Sequence, residues 1–136
     1  VIYRKPTKPR KNADPAYLDW IRTLPCLACI AEIVPLDQEE PLGACLAGII
    51  AWGQLPNKCG RTEAAHVGQR AFGRKGADRE AIPLGRGHHQ RAGSGGWPDS
   101  HHRMGKKFWE YHKINRDMVI AELQKLYETL KAEGRI

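Results

Sequence analysis

Thr62-Glu63-Ala64-Ala65-His66-Val67 and Ala81-Ile82-Pro83-Leu84, joined by the Gly-, Arg- and Lys-rich stretch from Gly68 to Arg79, decide how this 136-residue chain folds. Both are short apolar runs bounded by glycine-rich turns, the pattern of a pair of strands. Downstream, His88 to Arg91 opens a short helix. Gly93, Gly95, Gly96 and Pro98 then break it, so residues 92–99 read as an exposed loop. Gly105 to His112 reads as one helical segment. Asn115 caps a longer helix from Arg116 to about Glu133, closed by Gly134. Val119, Leu123, Leu126 and Leu130 form its apolar stripe, flanked by Ile120 and Tyr127.

Upstream, Asp14-Pro15 predicts a helix start, with Asp14 as N-cap and Pro15 at the first helical position. Tyr17, Trp20, Ile21 and Leu24 share one face, and Pro25 stops the helix before Cys26. Residues 1–13 read as a flexible basic arm, too polar and proline-rich to fold alone. Residues 14–136 are expected to form one domain, a length that a single core accommodates. Between the cysteines, an acidic loop (Asp37, Glu39, Glu40) leads into Leu42 to Trp52, a candidate short buried helix in what looks like an insertion. The fold class expected is α+β.

The net charge of +7 is unevenly spread. Residues 1–30 carry six Lys/Arg against two acids, and residues 31–57 carry four acids and no base. Residues 58–107 carry eleven bases against four acids and hold five of the six histidines, while the remainder is neutral. Positive charge and histidines therefore coincide, which favours a polyanionic partner, nucleic acid above all. No apolar stretch approaches the ~20 residues of a membrane span. Val1 to Asn12 lacks the apolar centre of a secretory leader. The expectation is a cytoplasmic protein with reduced cysteines, for which metal binding is favoured over disulfides.

Hydrolysis of a phosphodiester needs a general base for water and a hard cation for the charge that builds on phosphate and leaving oxygen. Neutral imidazole suits the first role, and imidazole with carboxylate can hold the cation. The segment offers His66, Asp78, His88, His89, His101 and His102. His112, beside Tyr111, reads as a surface or partly packed histidine.

Glu63-Ala64-Ala65-His66-Val67, the basic loop, Ala81-Ile82-Pro83-Leu84 and His88-His89 together resemble the HNH (ββα-metal) endonuclease core, especially its phage-type branch. His102-Arg103-Met104-Gly105 and Phe108-Trp109 are similar to that branch's His-x-x-Gly and Phe-Trp elements. Asp14-Pro15-Ala16-Tyr17-Leu18 and Trp20 to Cys26 extend the likeness, which covers residues 14–29 and 60–113. The resemblance implies a ββα-metal core with flanking helices, His66 as general base, and His89 and His102 on one divalent cation (Mg²⁺, Mn²⁺, Ni²⁺ or Zn²⁺). Ala65 stands where many HNH enzymes have an acidic metal ligand, and Asp78 is the candidate for that carboxylate. The Gly/Ser/Pro loop between His89 and His102 must fold back for both to reach one ion. His88 and His101 read as auxiliary, orienting or phosphate-contacting residues.

Cys26-Leu27-Ala28-Cys29 has the gap that lets two thiolates reach one tetrahedral zinc. Cys59-Gly60 resembles the end of a second zinc knuckle. The resembled group commonly has a further cysteine just after the Ile-Pro-Leu strand, where this chain has Gly85. Either Cys45 or His88 is expected to supply the fourth donor of a structural zinc site. The function expected is metal-dependent cleavage of DNA, with Arg70, Arg74, Lys75 and Arg79 on the backbone. The alternative is a zinc-stapled DNA-binding or assembly module whose nuclease centre has decayed. Protein partners are not legible.

Overall fold

A computed structural model describes residues 13–38, 48, 57–67 and 77–136. The basic arm through Asn12, Cys45, the Leu42–Trp52 run apart from Gly48, and Arg70, Arg74 and Lys75 lie outside the described residues.

Helix α1 (Pro15–Arg22) starts as its sequence requires. The Asp14 carboxylate accepts from the Tyr17 N–H at 3.2 Å, and Pro15 occupies the first turn. Tyr17, Trp20 and Ile21 are buried on one face. Helix α2 (Leu27–Ala31) follows directly, with Cys26 at its N-cap position.

Strands β1 (Thr62–His66) and β2 (Ala81–Gly85) pair antiparallel, Thr62 opposite Gly85 and His66 opposite Ala81. Pro83 is tolerated because a two-stranded sheet leaves one side of each strand unpaired. Such a sheet is marginal in water by itself. Here α1 packs on both strands, and α6 (Arg116–Ala132) and α2 pack on β2. All of β2 is buried, which explains its unbroken apolar character.

The short helix after β2 begins at Arg86, two residues before the expected start, and ends at His89 (α3). Residues 92–99 are more ordered than a plain loop: Ala92–Ser94 form a 3₁₀ turn, and the Trp97 N–H donates to the Gly87 carbonyl at 2.7 Å. The expected segment Gly105–His112 is helical from Lys107 (α5, Lys107–His112), and a separate short helix, α4 (His101–Met104), precedes it. They are separated by Gly105 at φ +57°, a conformation that glycine adopts without strain.

Helix α6 is capped by Asn115, which accepts from the Met118 N–H at 3.1 Å. Its buried face is Val119, Ile120, Leu123, Tyr127 and Leu130, with Leu126 only partly covered. Tyr127 takes the inward place because it meets Tyr17 edge-on at 4.9 Å and Trp20 at 5.2 Å. One continuous cluster joins α1, α2, both strands, Phe108 and α6. Each fully buried large side chain in it contributes about 1.5–3 kcal/mol.

Arg79, expected on a DNA phosphate, has a side chain 35 % exposed and tied to partners within the chain. Its Nε donates to Asp14 Oδ2 at 2.7 Å, its Nη1 donates to Glu128, and its guanidinium lies over the Tyr17 and Tyr127 rings. Gln124 also donates to its carbonyl at 2.7 Å. The residue therefore clasps α1, the turn before β2 and α6. Arg79→Ala should lower the unfolding free energy by about 2 kcal/mol, the combined scale of two cation–π contacts and two partly exposed ion pairs. Urea denaturation measures this. An unchanged midpoint, or a smaller salt slope of DNA binding in the variant, would return the residue to the nucleic-acid surface.

Candidate metal centre and histidine cluster

Cys26 and Cys29 are presented from one turn of α2, Cys59 from the bend before β1, and His88 from α3. Asn57 fastens these pieces together. It accepts from the Cys26 N–H at 2.7 Å and donates to the Gly60 carbonyl and to Thr62 Oγ1, whose own proton goes to the Leu24 carbonyl. The Gly87 N–H donates to the Cys59 carbonyl at 2.8 Å. Gly85 makes the close approach possible, since a Cβ there would lie 2.1 Å from Cys59 Sγ. A cysteine side chain at this position would collide with the Cys59 thiol as it stands.

The four donor atoms lie within 4.8 Å of one another. Cys26 Sγ is 3.4 Å and Cys29 Sγ 3.6 Å from His88 Nδ1, and Cys29 Sγ is 3.5 Å from Cys59 Sγ. A tetrahedron with S bonds of ~2.3 Å and N bonds of ~2.0 Å has edges of about 3.5–3.8 Å, so the group could hold a metal ion. His88, the alternative fourth donor, stands in this group, and Cys45 lies outside the described residues. Hydrogen bonds with Cys26 and Cys59 hold the Cys29 thiol's pKa far below its ordinary value, and bonds with Cys29 and Cys59, together with burial, drive that of Cys26 upward. Burial opposes a charged His88 ring, but its bonds to Cys29 and Cys59 prevail and push its pKa up to about 10. The protons that ease this crowding are the ones a divalent cation would displace.

A second constellation sits at the far end of the hairpin. His66 closes β1, and its Nε2 lies 2.9 Å from Asp78 Oδ1 in the 3₁₀ turn Asp78–Glu80 that leads into β2. Asp78 is 1 % exposed, and its other oxygen accepts the Asp14 N–H at 2.7 Å. A carboxylate on Nε2 selects the tautomer with its proton there, leaving the Nδ1 lone pair as the basic site. Asp78 thus stands on His66 rather than beside His89.

The carboxylate beside His89 is Glu63, which the sequence reading passed over. Glu63 Oε1 lies 2.9 Å from His89 Nδ1 and accepts from Gln90 Nε2 at 2.6 Å. Burial works against the Glu63 carboxylate, yet these hydrogen bonds and nearby Arg86 hold its pKa below the ordinary glutamate value. The hairpin returns α3 over β1, which brings the two residues together. As the single acid in β1, Glu63 carried a usable signal.

His102, delivered by α4, lies against His89 with ring centroids 5.3 Å apart. Two imidazoles on one ion at ~2.0 Å stand about 5 Å apart. The glycine-rich loop therefore brings the expected pair side by side. His101 packs on Phe108 and Trp109, and burial, aided by the charges of His102 and His89, lowers its pKa to about 4. Burial and His89 also lower that of His102. Both rings stay neutral near pH 7. His112 is buried as well, its Nε2 donating to the Asp99 carbonyl at 2.8 Å. No helix among the described residues is long and apolar enough to cross a membrane. Compared with protein-family models, curated proteins and solved structures, the chain matches none.

Proposed function

We propose that this chain is a metal-dependent DNA endonuclease of the HNH type, stapled by one structural zinc at Cys26, Cys29, Cys59 and His88. The observation that carries the reading is the pairing of His66 with the buried carboxylate of Asp78 on a hairpin whose next helix sets His89 against His102. A divalent cation between His89 and His102 would neutralise charge on the scissile phosphate and on the leaving oxygen. His66 Nδ1 takes the proton of the attacking water as the new P–O bond forms and the bond to the leaving oxygen breaks. Asp78 keeps the imidazole in the required tautomer and stabilises it once charged. Glu63 holds His89 Nδ1, so that Nε2 is the atom offered to the cation. Exposed bases such as Arg91, Arg103, Lys106 and Lys107 attract the polyanion without reading sequence. A reducing cytoplasm, where free thiols persist as ligands, goes with this reading.

Ala65 favours the rival, a binding module with a decayed centre, because the position before His66 is fully buried and carries no ligand. Nicking of supercoiled plasmid by the zinc-loaded protein, with Mg²⁺, Mn²⁺ or Ni²⁺ added in turn, separates the two. Cation-dependent nicking that EDTA abolishes and fresh cation restores is the expected result. Salt-sensitive DNA retention with no nicking under any cation overturns the enzyme reading in favour of the module.

A further inference from the structure

The His88 ring has a second nitrogen for which the thiol group gives no use. Nε2 is fully buried and has no hydrogen-bond partner. The nearest acceptor is Asp99 Oδ2 at 3.6 Å, too long for a hydrogen bond as it stands. Asp99 also faces His112, whose Nε2 is 3.7 Å from the same oxygen and bonded to the Asp99 carbonyl. His88, Asp99 and His112 thus form a second set of potential ligands that shares His88 with the cysteines.

One neutral imidazole cannot serve both sets. With Nδ1 given to a metal, its single proton resides on Nε2, which is then a donor and no longer a ligand. Three thiolates and an imidazole form the stronger site for a borderline-soft cation. The second set is then the outer layer of the first. We propose that Asp99 is a positioning residue of the cysteine–histidine centre, drawn onto His88 Nε2–H when metal binds Nδ1 and steadied by His112 through its main chain. The inference rests on metal binding at the four-donor group and adds a residue that group does not contain.

The placement of Asp99 suits the role. Two residues before it, Trp97 is tied to Gly87 in α3 by a backbone bond and packs edge-on against His88 at 5.1 Å. Directly after Asp99, the buried Ser100 caps the helix that presents His102. A carboxylate hydrogen bond to a ligating imidazole fixes the ring and raises its donor strength, and losing such a partner weakens metal binding by about 10–100-fold.

The test compares wild type, Asp99→Ala and Asp99→Asn as full chains loaded with zinc. Zinc transfer to a chromogenic chelator is followed, with near-ultraviolet circular dichroism of the zinc-loaded forms and the absorption spectra of their cobalt-substituted counterparts alongside. Asp99→Ala should release zinc about 10–100-fold faster than wild type. Asp99→Asn keeps an acceptor oxygen and should fall between them. The zinc-loaded variants should keep the wild-type near-ultraviolet spectrum, while the cobalt bands of Asp99→Ala shift, because the bond acts on the ligated ring. Equal release rates overturn the role of Asp99. So does faster release from an Asp99→Ala protein whose near-ultraviolet spectrum is altered while its cobalt bands match wild type, which marks a general structural residue. A wild type that takes up no zinc overturns the four-donor centre itself, and the proposal with it.

Discussion

Cys26→Ser is expected to leave the protein without its zinc and without stable tertiary packing at 25 °C. Cys26 is wholly buried, at the joint between α1, α2 and the Asn57–Thr62 segment, and contributes to the hydrophobic cluster as well as to the four-donor group. Serine cannot supply a thiolate, so the remaining cysteines and His88 would crowd a site with one corner missing. Structural zinc in small domains is worth about 10–16 kcal/mol of apparent binding energy at neutral pH, whereas whole domains are stable by about 5–15 kcal/mol. Losing much of the first exceeds most of the second. Metal analysis of wild type purified without added metal should find roughly one zinc per chain, and the variant close to none. Near-ultraviolet circular dichroism should collapse in the variant and in wild type stripped by chelator. A variant that melts at the wild-type temperature without zinc would remove the metal from the stability of this fold, and one that keeps its zinc would remove Cys26 from the site.

His66→Ala should slow DNA cleavage by about 10²–10⁴-fold, the usual contribution of a general base. The zinc content and melting temperature should be preserved, since His66 keeps some solvent exposure at the end of β1 and lies outside the thiol group. DNA affinity should change little, because exposed lysines and arginines supply most of it. Asp78→Asn gives a finer reading of the same pair. The amide oxygen can still accept the Asp14 N–H, while the charge that steadies a protonated His66 is gone. Its rate should fall, because the negative charge that stabilises the imidazole once it has taken the proton is lost. Wild-type turnover by His66→Ala would end the catalytic assignment. Loss of folding in that variant would make His66 a structural residue.

Much of the scaffold could be read along the chain because its causes are local. Asp14-Pro15 at a helix start, Asn115 before a period-3.6 apolar pattern and Gly134 after it act within one or two helical turns. The runs around His66 and Ile82 announce strands for the same reason. Local signals were weaker where glycine chemistry and distant contacts compete. Helix α3 starts at Arg86, directly after Gly85 packed against Cys59, and the helix expected from Gly105 begins only at Lys107, past that glycine's positive φ. Tyr127 displaced Leu126 from the buried face because two aromatic rings of α1 wait there.

The pairings that turn these elements into a site belong to another class of cause. The Cys26-x-x-Cys29 spacing already implied a shared metal, since both thiols leave one turn of helix. Whether the fourth donor is a cysteine or His88 depended on where the hairpin sets α3 against α2. Asp78 looked like a ligand because it stands just before the second strand, yet its oxygens meet Asp14 and His66 across three segments. Arg79 looked like a phosphate contact because a cation in a basic loop is ordinarily solvated. Two tyrosines, Asp14 and Glu128 gather around it only once α1 and α6 are packed. Glu63 and Asp99 carried no periodic mark at all. A helix or strand repeats its environment along the chain and so writes itself into the residue pattern. A charged or polar side chain finds its partner through space, and that partner emerges only when burial has brought distant segments within hydrogen-bonding reach.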